Sequence, residues 1–217
     1  MKSNSEYKDT ALAALKGNWA EAVLCTVVYL AVVTALAAYP IMVSSPFPIL
    51  FRSGLPYIWG LPASLLVFLI LPALSTGIYN TFRLLVESGD NRLTANMFRE
   101  GFRDYFHKLL GFVLYGIIVA AGFALLVIPG VIWAFAYSMV PYILDEEPEL
   151  SLFQTFRKSR MMMKGHKLDY FWLCLSFIGW AILSVITLGV GYLWLMPYVQ
   201  STSAAFYEDL KGLSAGI

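Results

Sequence analysis

The chain has 217 residues, of which 59% are hydrophobic and 13% charged, and its net charge is +1. Soluble domains carry roughly 25% charged residues, so this composition, with a mean hydropathy of +0.69, excludes an ordinary water-soluble domain and makes lipid the solvent. A net charge so near zero says little about partners, and no nucleic-acid partner is expected.

In chain order, residues 5–18 read as an amphipathic helix that ends at Leu15-Lys16-Gly17-Asn18-Trp19. A charge-free run, Ala22–Phe51, follows and supplies a first span at 21–43. Ala35-Leu36-Ala37 is a weak cleavage-like site, but the segment before it includes Glu6 and Asp9 and is too long and mixed for a signal peptide. The spacing of Pro46, Pro48, Arg52, Gly54 and Pro56 predicts a short loop, 44–56. The second span is 57–80 and contains Pro72.

A second polar segment carries a helix at 94–107. Met97, Phe98, Phe102, Tyr105 and Phe106 form its apolar stripe, with Arg99 and Arg103 off it. The run Leu109–Leu144 would be a helix of roughly 54 Å at 1.5 Å per residue, too long for one crossing of a ~30 Å core. It must fold back, and Ile128-Pro129-Gly130 offers the break, giving spans 109–128 and 130–146. Pro141 lies in the second of these. Asp145-Glu146-Glu147-Pro148-Glu149 reads as a helix end and turn.

Ser151 and Gln154 form a capping-box pattern that opens a helix at 151–165. Leu152, Phe153, Phe156 and Met163 are expected on its lipid-facing side, with Arg157, Arg160 and Lys164 on another. The last charge-free run, Tyr170–Tyr207, breaks at Leu188-Gly189-Val190-Gly191. It yields spans 169–187 and 191–208, the latter with Pro197.

Fourteen of the fifteen Lys and Arg residues fall in the N-terminus, the second and fourth loops or the tail, leaving Arg52 alone on the other side. The positive-inside rule puts both termini in the cytoplasm. The expected fold is all-α: a polytopic six-helix transmembrane bundle, 1–217, of three helical hairpins. Each hairpin follows a cytoplasmic interfacial amphipathic helix. Recurring landmarks relate the second and third units: Phe98-Arg99 and Phe156-Arg157, then Met139-Val140-Pro141-Tyr142 and Leu195-Met196-Pro197-Tyr198; the first unit fits more loosely, through Leu15-Lys16-Gly17-Asn18-Trp19 and Pro72.

No catalytic motif is present, and no enzyme activity, cofactor or metal site is expected. Cys25 and Cys174 read as small core residues. The spans carry no ionisable residue at depth, which disfavours a proton-coupled pump. Gly116 and Ala120 read as a small pair for packing inside the bundle. Two sets of residues carry the functional expectations. Arg157, Lys158, Arg160, Lys164, Lys167, Arg99 and Arg103 are candidates for binding anionic lipid or an unidentified membrane-protein partner. Pro72, Pro141 and Pro197 are candidate kinks that could line a pathway for a small or amphiphilic molecule.

Ala14-Leu15-Lys16-Gly17-Asn18-Trp19, Ile128-Pro129-Gly130-Val131-Ile132, Tyr137–Leu144, Ser159–Gly165, Leu175–Trp180 and Trp194–Tyr198 together resemble a family of bacterial integral membrane proteins. It is catalogued as domain of unknown function nine-seven-five. The resemblance runs from about residue 6 to 208 and implies a multi-pass protein of the bacterial plasma (inner) membrane. It implies no established activity and carries over no site residue. The layout is also similar to the membrane domain of some bacterial glycerophosphodiester phosphodiesterases, whose activity it does not imply.

Overall fold

The computed structural model describes residues 2–44 and 56–214, so most of the expected loop 44–56, with Arg52, lies outside the described residues. Those residues form helices and turns, with no strand among them. In order the helices are α1 (Asn4–Leu15), α2 (Trp19–Ser44), α3 (Pro56–Ser88), α4 (Leu93–Phe102), α5 (Tyr105–Leu125) and α6 (Val127–Ala136). Then follow α7 (Val140–Glu146), α8 (Leu152–Met162), α9 (Lys167–Leu175), α10 (Ile178–Ile186) and α11 (Tyr192–Ser214).

Five helical stretches are long and apolar enough to cross a membrane: Trp19–Leu36, Val67–Ser88, Tyr105–Ala124, Ile128–Glu146 and Lys167–Ile186. In the first, third and fifth, 17% of residues are buried, against 61% and 44% in the second and fourth. The mostly exposed stretches therefore present their apolar side chains to the surroundings, and the others form the interior. The expected sixth span, 191–208, is not among the five. It falls in α11, whose Ser201, Thr202 and Ser203 are buried between neighbouring helices. A helix wrapped by protein need not be apolar, so its hydropathy is low for a physical reason.

The chain reversals lie where backbone chemistry permits. Leu126, with φ −168° and ψ 155°, both ends α5 and starts α6. The break thus precedes Ile128-Pro129-Gly130. Pro129 sits in the first turn of α6, where its missing N–H needs no partner. Gly122 and Gly130 let the two helices touch: a Cβ on Gly122 would lie 2.9 Å from Gly130 Cα. Leu188 and Gly189 both adopt positive φ in the turn between α10 and α11, at the expected glycine break. The stretch expected as one span at 130–146 is interrupted at Tyr137–Met139, and α9 is separated from α10 at Ser176-Phe177.

Three short helices, α1, α4 and α8, each precede a long apolar stretch, and a left-handed residue stands at each junction: Gly17, Asp104 and Gly165. None of the three simply lies free on its apolar face. In α1, Tyr7, Ala11 and Leu15 recur every four residues and are fully buried. Tyr7 packs edge-on against Phe206 of α11 and donates its hydroxyl to Asp209 Oδ2 at 2.6 Å. In α4, Met97 enters the core beside Cys25, whereas Phe98 and Phe102 stay exposed, as does Phe106 at the start of α5.

The capping box of α8 is formed: the Gln154 N–H donates to Ser151 Oγ at 3.4 Å and the Ser151 N–H to Gln154 Oε1 at 2.9 Å. Phe156 and Met163, expected toward lipid, are buried in the protein, and Phe153 is exposed. The cause is the small pair Thr155 and Ser159, which brings α8 close enough for Ser159 to donate to the Ala136 carbonyl at 3.0 Å. Ser151→Ala should cost about 1 kcal/mol. Amide exchange in the first turn of α8 should then rise roughly fivefold; unchanged exchange would mean that tertiary packing alone holds that turn.

Two smaller expectations are corrected. Cys25 is buried, but Cys174 is exposed on α9. Gly116 and Ala120 are exposed, and a Cβ on Gly116 would meet nothing within 4 Å, so the pair packs no neighbouring helix among the described residues.

Candidate functional site

Charge is gathered at one end of the bundle, and much of it is buried there. Lys108, at the start of α5, has no exposed surface and reaches the Asp145 carboxylate and the Glu100 carbonyl. Asp145, at the end of α7, also receives Arg83 of α3 at 3.4 Å and Arg103, just after α4, at 3.8 Å. Arg103 donates to the Asp145 backbone carbonyl at 2.7 Å as well. Arg83 continues the network to Glu87 at 2.7 Å and Glu208 at 3.9 Å. Glu146 is held by Lys211 and by the Tyr207 hydroxyl of α11. Five helices, α3, α4, α5, α7 and α11, are thereby tied together at one level.

This network was not foreseen in the sequence. The acidic run at 145–149 reads as a turn, yet three of its carboxylates point to different cations: Asp145 to Lys108, Glu146 to Lys211 and Glu147 to Lys158. They do not converge as cation ligands would. The available signal was Lys108 itself, which lies inside α5 with no other Lys, Arg, Asp or Glu in that helix.

A groove of about 840 Å³ opens beside the network, between α8 and the end of α11. Leu150, Met161, Met162 and Leu210 give it an apolar floor, and Arg157, Lys158, Lys164 and Lys211 give it a basic rim. Lys158 is paired with Glu147 and Lys211 with Glu146. Arg157 and Lys164 have no carboxylate within ion-pair distance among the described residues, and both are exposed. Counting Glu147 as the one acid of the lining, four cations minus one anion leaves +3.

The structure thus brings Arg157, Lys158 and Lys164 to one groove. Arg160 is exposed on α8 outside the lining residues, and Lys167 begins α9. Arg99 and Arg103 are elsewhere, on α4 and just after it. Arg99 lies 2.9 Å from Glu100, and Arg103 is committed to the buried network. Sequence reasoning missed Lys211 and the methionine floor as parts of the same groove, because they are distant in the chain.

A second opening, a cavity of about 280 Å³, lies among α3, α5, α6, α7 and α9. Among the described residues, no charged side chain lines it. Thr76, Tyr79, Tyr115, Ser138 and Tyr170 supply hydroxyls, and Phe112 and Phe135 supply ring faces. Of the three candidate kink prolines, Pro141 lines this cavity. Pro72 is buried inside α3 and Pro197 inside α11, and neither belongs to its lining. Pro141 itself opens α7 and does not bend a continuous helix.

An all-helical chain with five stretches able to cross a membrane, and with its charge gathered at one end, has the build of an integral membrane protein. Residues 108–214 match the family described as protein of unknown function (DUF975). The earlier part of the resemblance, Ala14–Trp19 foremost, precedes the matched residues. No match was found among curated proteins or among solved structures.

Proposed function

We propose that this is a non-enzymatic plasma-membrane protein that holds an anionic lipid on its cytoplasmic face, in the groove between α8 and α11. One observation carries the reading: a basic rim with two exposed, uncommitted cations, Arg157 and Lys164, stands over a floor of Met and Leu side chains. A headgroup phosphate matches the rim and an acyl chain matches the floor. Each basic residue near an anionic leaflet contributes about 1 kcal/mol. The half-buried Lys211–Glu146 pair and the Tyr207–Glu146 hydrogen bond fix the groove wall by tying the end of α11 to α7.

In the same reading, α1, α4 and α8 are interfacial helices of three repeated units, each followed by a left-handed junction and a hairpin of spans. The polar α11 is the sixth span, and both termini face the cytoplasm, a reading supported by the distribution of Lys and Arg. Exposed Phe102 and Phe106, with Tyr105 between them, anchor the second unit in the headgroup region.

Arg157→Glu with Lys164→Glu tests the lipid site. Lys158 is left intact, because reversing it would also break its pair with Glu147. Co-purified anionic lipid, quantified by mass spectrometry from native lipid discs, should fall roughly thirtyfold in affinity for a loss of about 2 kcal/mol. Equal lipid enrichment in the variant sinks the proposal; loss of a stoichiometric acidic protein in place of lipid would reassign the groove to a membrane partner.

A second reading is favoured by the hydroxyl-lined cavity: a passive pathway for a small or amphiphilic molecule. Flux assays in liposomes, with and without the protein, test it. Identical flux rates rule it out.

A further inference from the structure

The cavity among α3, α5, α6, α7 and α9 reaches from Leu144, beside the charged end, into the apolar layer. Thr76 is seven residues before Arg83 on α3, and Tyr115 is seven residues after Lys108 on α5. At 1.5 Å per residue, both lie roughly 10 Å from the ion-pair level. Four of the five membrane-length stretches contribute lining residues. The interruption of α6 and α7 at Tyr137–Met139 opens onto the same space through Ser138. Irregular backbone at membrane depth is stable where it is buried in protein or lines a cavity.

The lining chemistry defines an occupant. A charged ligand would find no counter-ion there and would carry its full desolvation cost. Thr76 donates its proton to the Pro72 carbonyl at 3.0 Å, Ser138 to the Phe135 carbonyl at 2.9 Å, and Tyr170 to Ser203 at 3.3 Å. Their donor protons are committed within the protein, so these three oxygens present acceptor lone pairs. Around them stand the rings of Phe112 and Phe135 and the phenols of Tyr79 and Tyr115, whose hydroxyls can donate or accept. Acceptors set among ring faces suit a flat molecule that brings its own donor.

We infer that this cavity is a binding site for a small, uncharged, ring-containing molecule bearing an N–H or O–H donor. The inference deepens the second reading by naming its ligand class, and it concerns binding, which is separable from flux. Uncharged molecules of this kind cross and dissolve in lipid, so the site can fill from the bilayer.

The test uses the full chain in lipid discs, with indole as probe and naphthalene as its match without an N–H. Benzoate and tetramethylammonium serve as charged comparators. Indole should bind saturably by calorimetry and raise the unfolding temperature, and the other three should not. Thr76→Val with Ser138→Ala removes two acceptors and should weaken indole roughly tenfold, the worth of one or two net hydrogen bonds. Ala134→Leu, which places bulk in the cavity, should abolish the effect while leaving the ligand-free unfolding temperature near that of the parent. Equal binding of naphthalene, or undiminished indole binding in both variants, overturns the inference. Saturable indole binding with no indole-dependent flux would keep the site and remove the pathway.

Discussion

Gly77→Ala should be among the most damaging single-methyl changes in this chain. α3 and α4 cross at Gly77 and Gly101 with almost nothing between their backbones. A Cβ on Gly77 would fall inside the Met97 carbonyl oxygen and 3.1 Å from Gly101 Cα. A Cβ on Gly101 would lie 2.5 Å from the Ala73 carbonyl oxygen. The obstacles are backbone atoms, so no rotamer change relieves them, and one helix must move. Small residues at such crossings let backbones approach closely in membrane proteins. The gain in helix propensity from Gly to Ala is about 1 kcal/mol, and overpacking costs roughly 1–3 kcal/mol and occasionally more. With backbone as the obstacle, a net loss of about 2–3 kcal/mol is expected. Gly116→Ala is the matched control, since it faces open space on α5 and should be neutral or stabilising by up to about 1 kcal/mol. Unfolding of both variants in mixed micelles checks the pair; equal stabilities would show that the α3–α4 crossing is looser than its geometry.

Gly77 also shows why part of the fold escapes a sequence reading. Periodicity and charge-free runs report which segments are apolar and where they must stop. The reversal at Leu188–Gly191, the capping box at Ser151 and the basic face of Arg157 and Lys164 were legible for that reason. Partners were not legible. Gly77 and Gly101 look like two isolated helix glycines, while Gly116 and Ala120 carry the spacing of a packing motif and face outward. The same limit applies to α8: the pattern placed Phe153 and Phe156 together, and the small residues Thr155 and Ser159 decided which of them entered the core. α11 was legible as a segment at 191–208, but its burial among other helices was not. Hydropathy measures suitability for lipid, whereas Ser201–Ser203 face other helices. In the groove, Arg157 and Lys164 were visible as a charged stripe, but its floor and Lys211 required the fold.

The buried charge network should respond asymmetrically to loss of its two central partners. Asp145→Asn removes the carboxylate from three cations at once. Arg83 retains Glu87 at 2.7 Å, and Arg103 retains Glu100 at 2.9 Å. Lys108 retains only the Glu100 carbonyl, as an ammonium with no exposed surface and no counter-charge. Removing one partner of a buried pair typically costs 3–5 kcal/mol because a buried charge is left uncompensated, and Asp145→Asn should fall in that range. Lys108→Met is different. Asp145 would keep Arg83 at 3.4 Å and Arg103 at 3.8 Å, and methionine fills most of the lysine stem's volume. Its cost should be about 1–2 kcal/mol. The double variant, Lys108→Met with Asp145→Asn, should recover part of the Asp145→Asn loss, since the stranded ammonium is gone. Reversible unfolding of the three variants in micelles measures these differences as a double-mutant cycle. A double variant no more stable than Asp145→Asn would mean that Lys108 finds water or another carboxylate when Asp145 is lost. Equal costs for the two single changes would mean that Arg83 and Arg103 contribute nothing to holding Asp145. The predicted order follows from counting which charges are left without partners, and it assigns the clasp at this end of the bundle chiefly to Asp145.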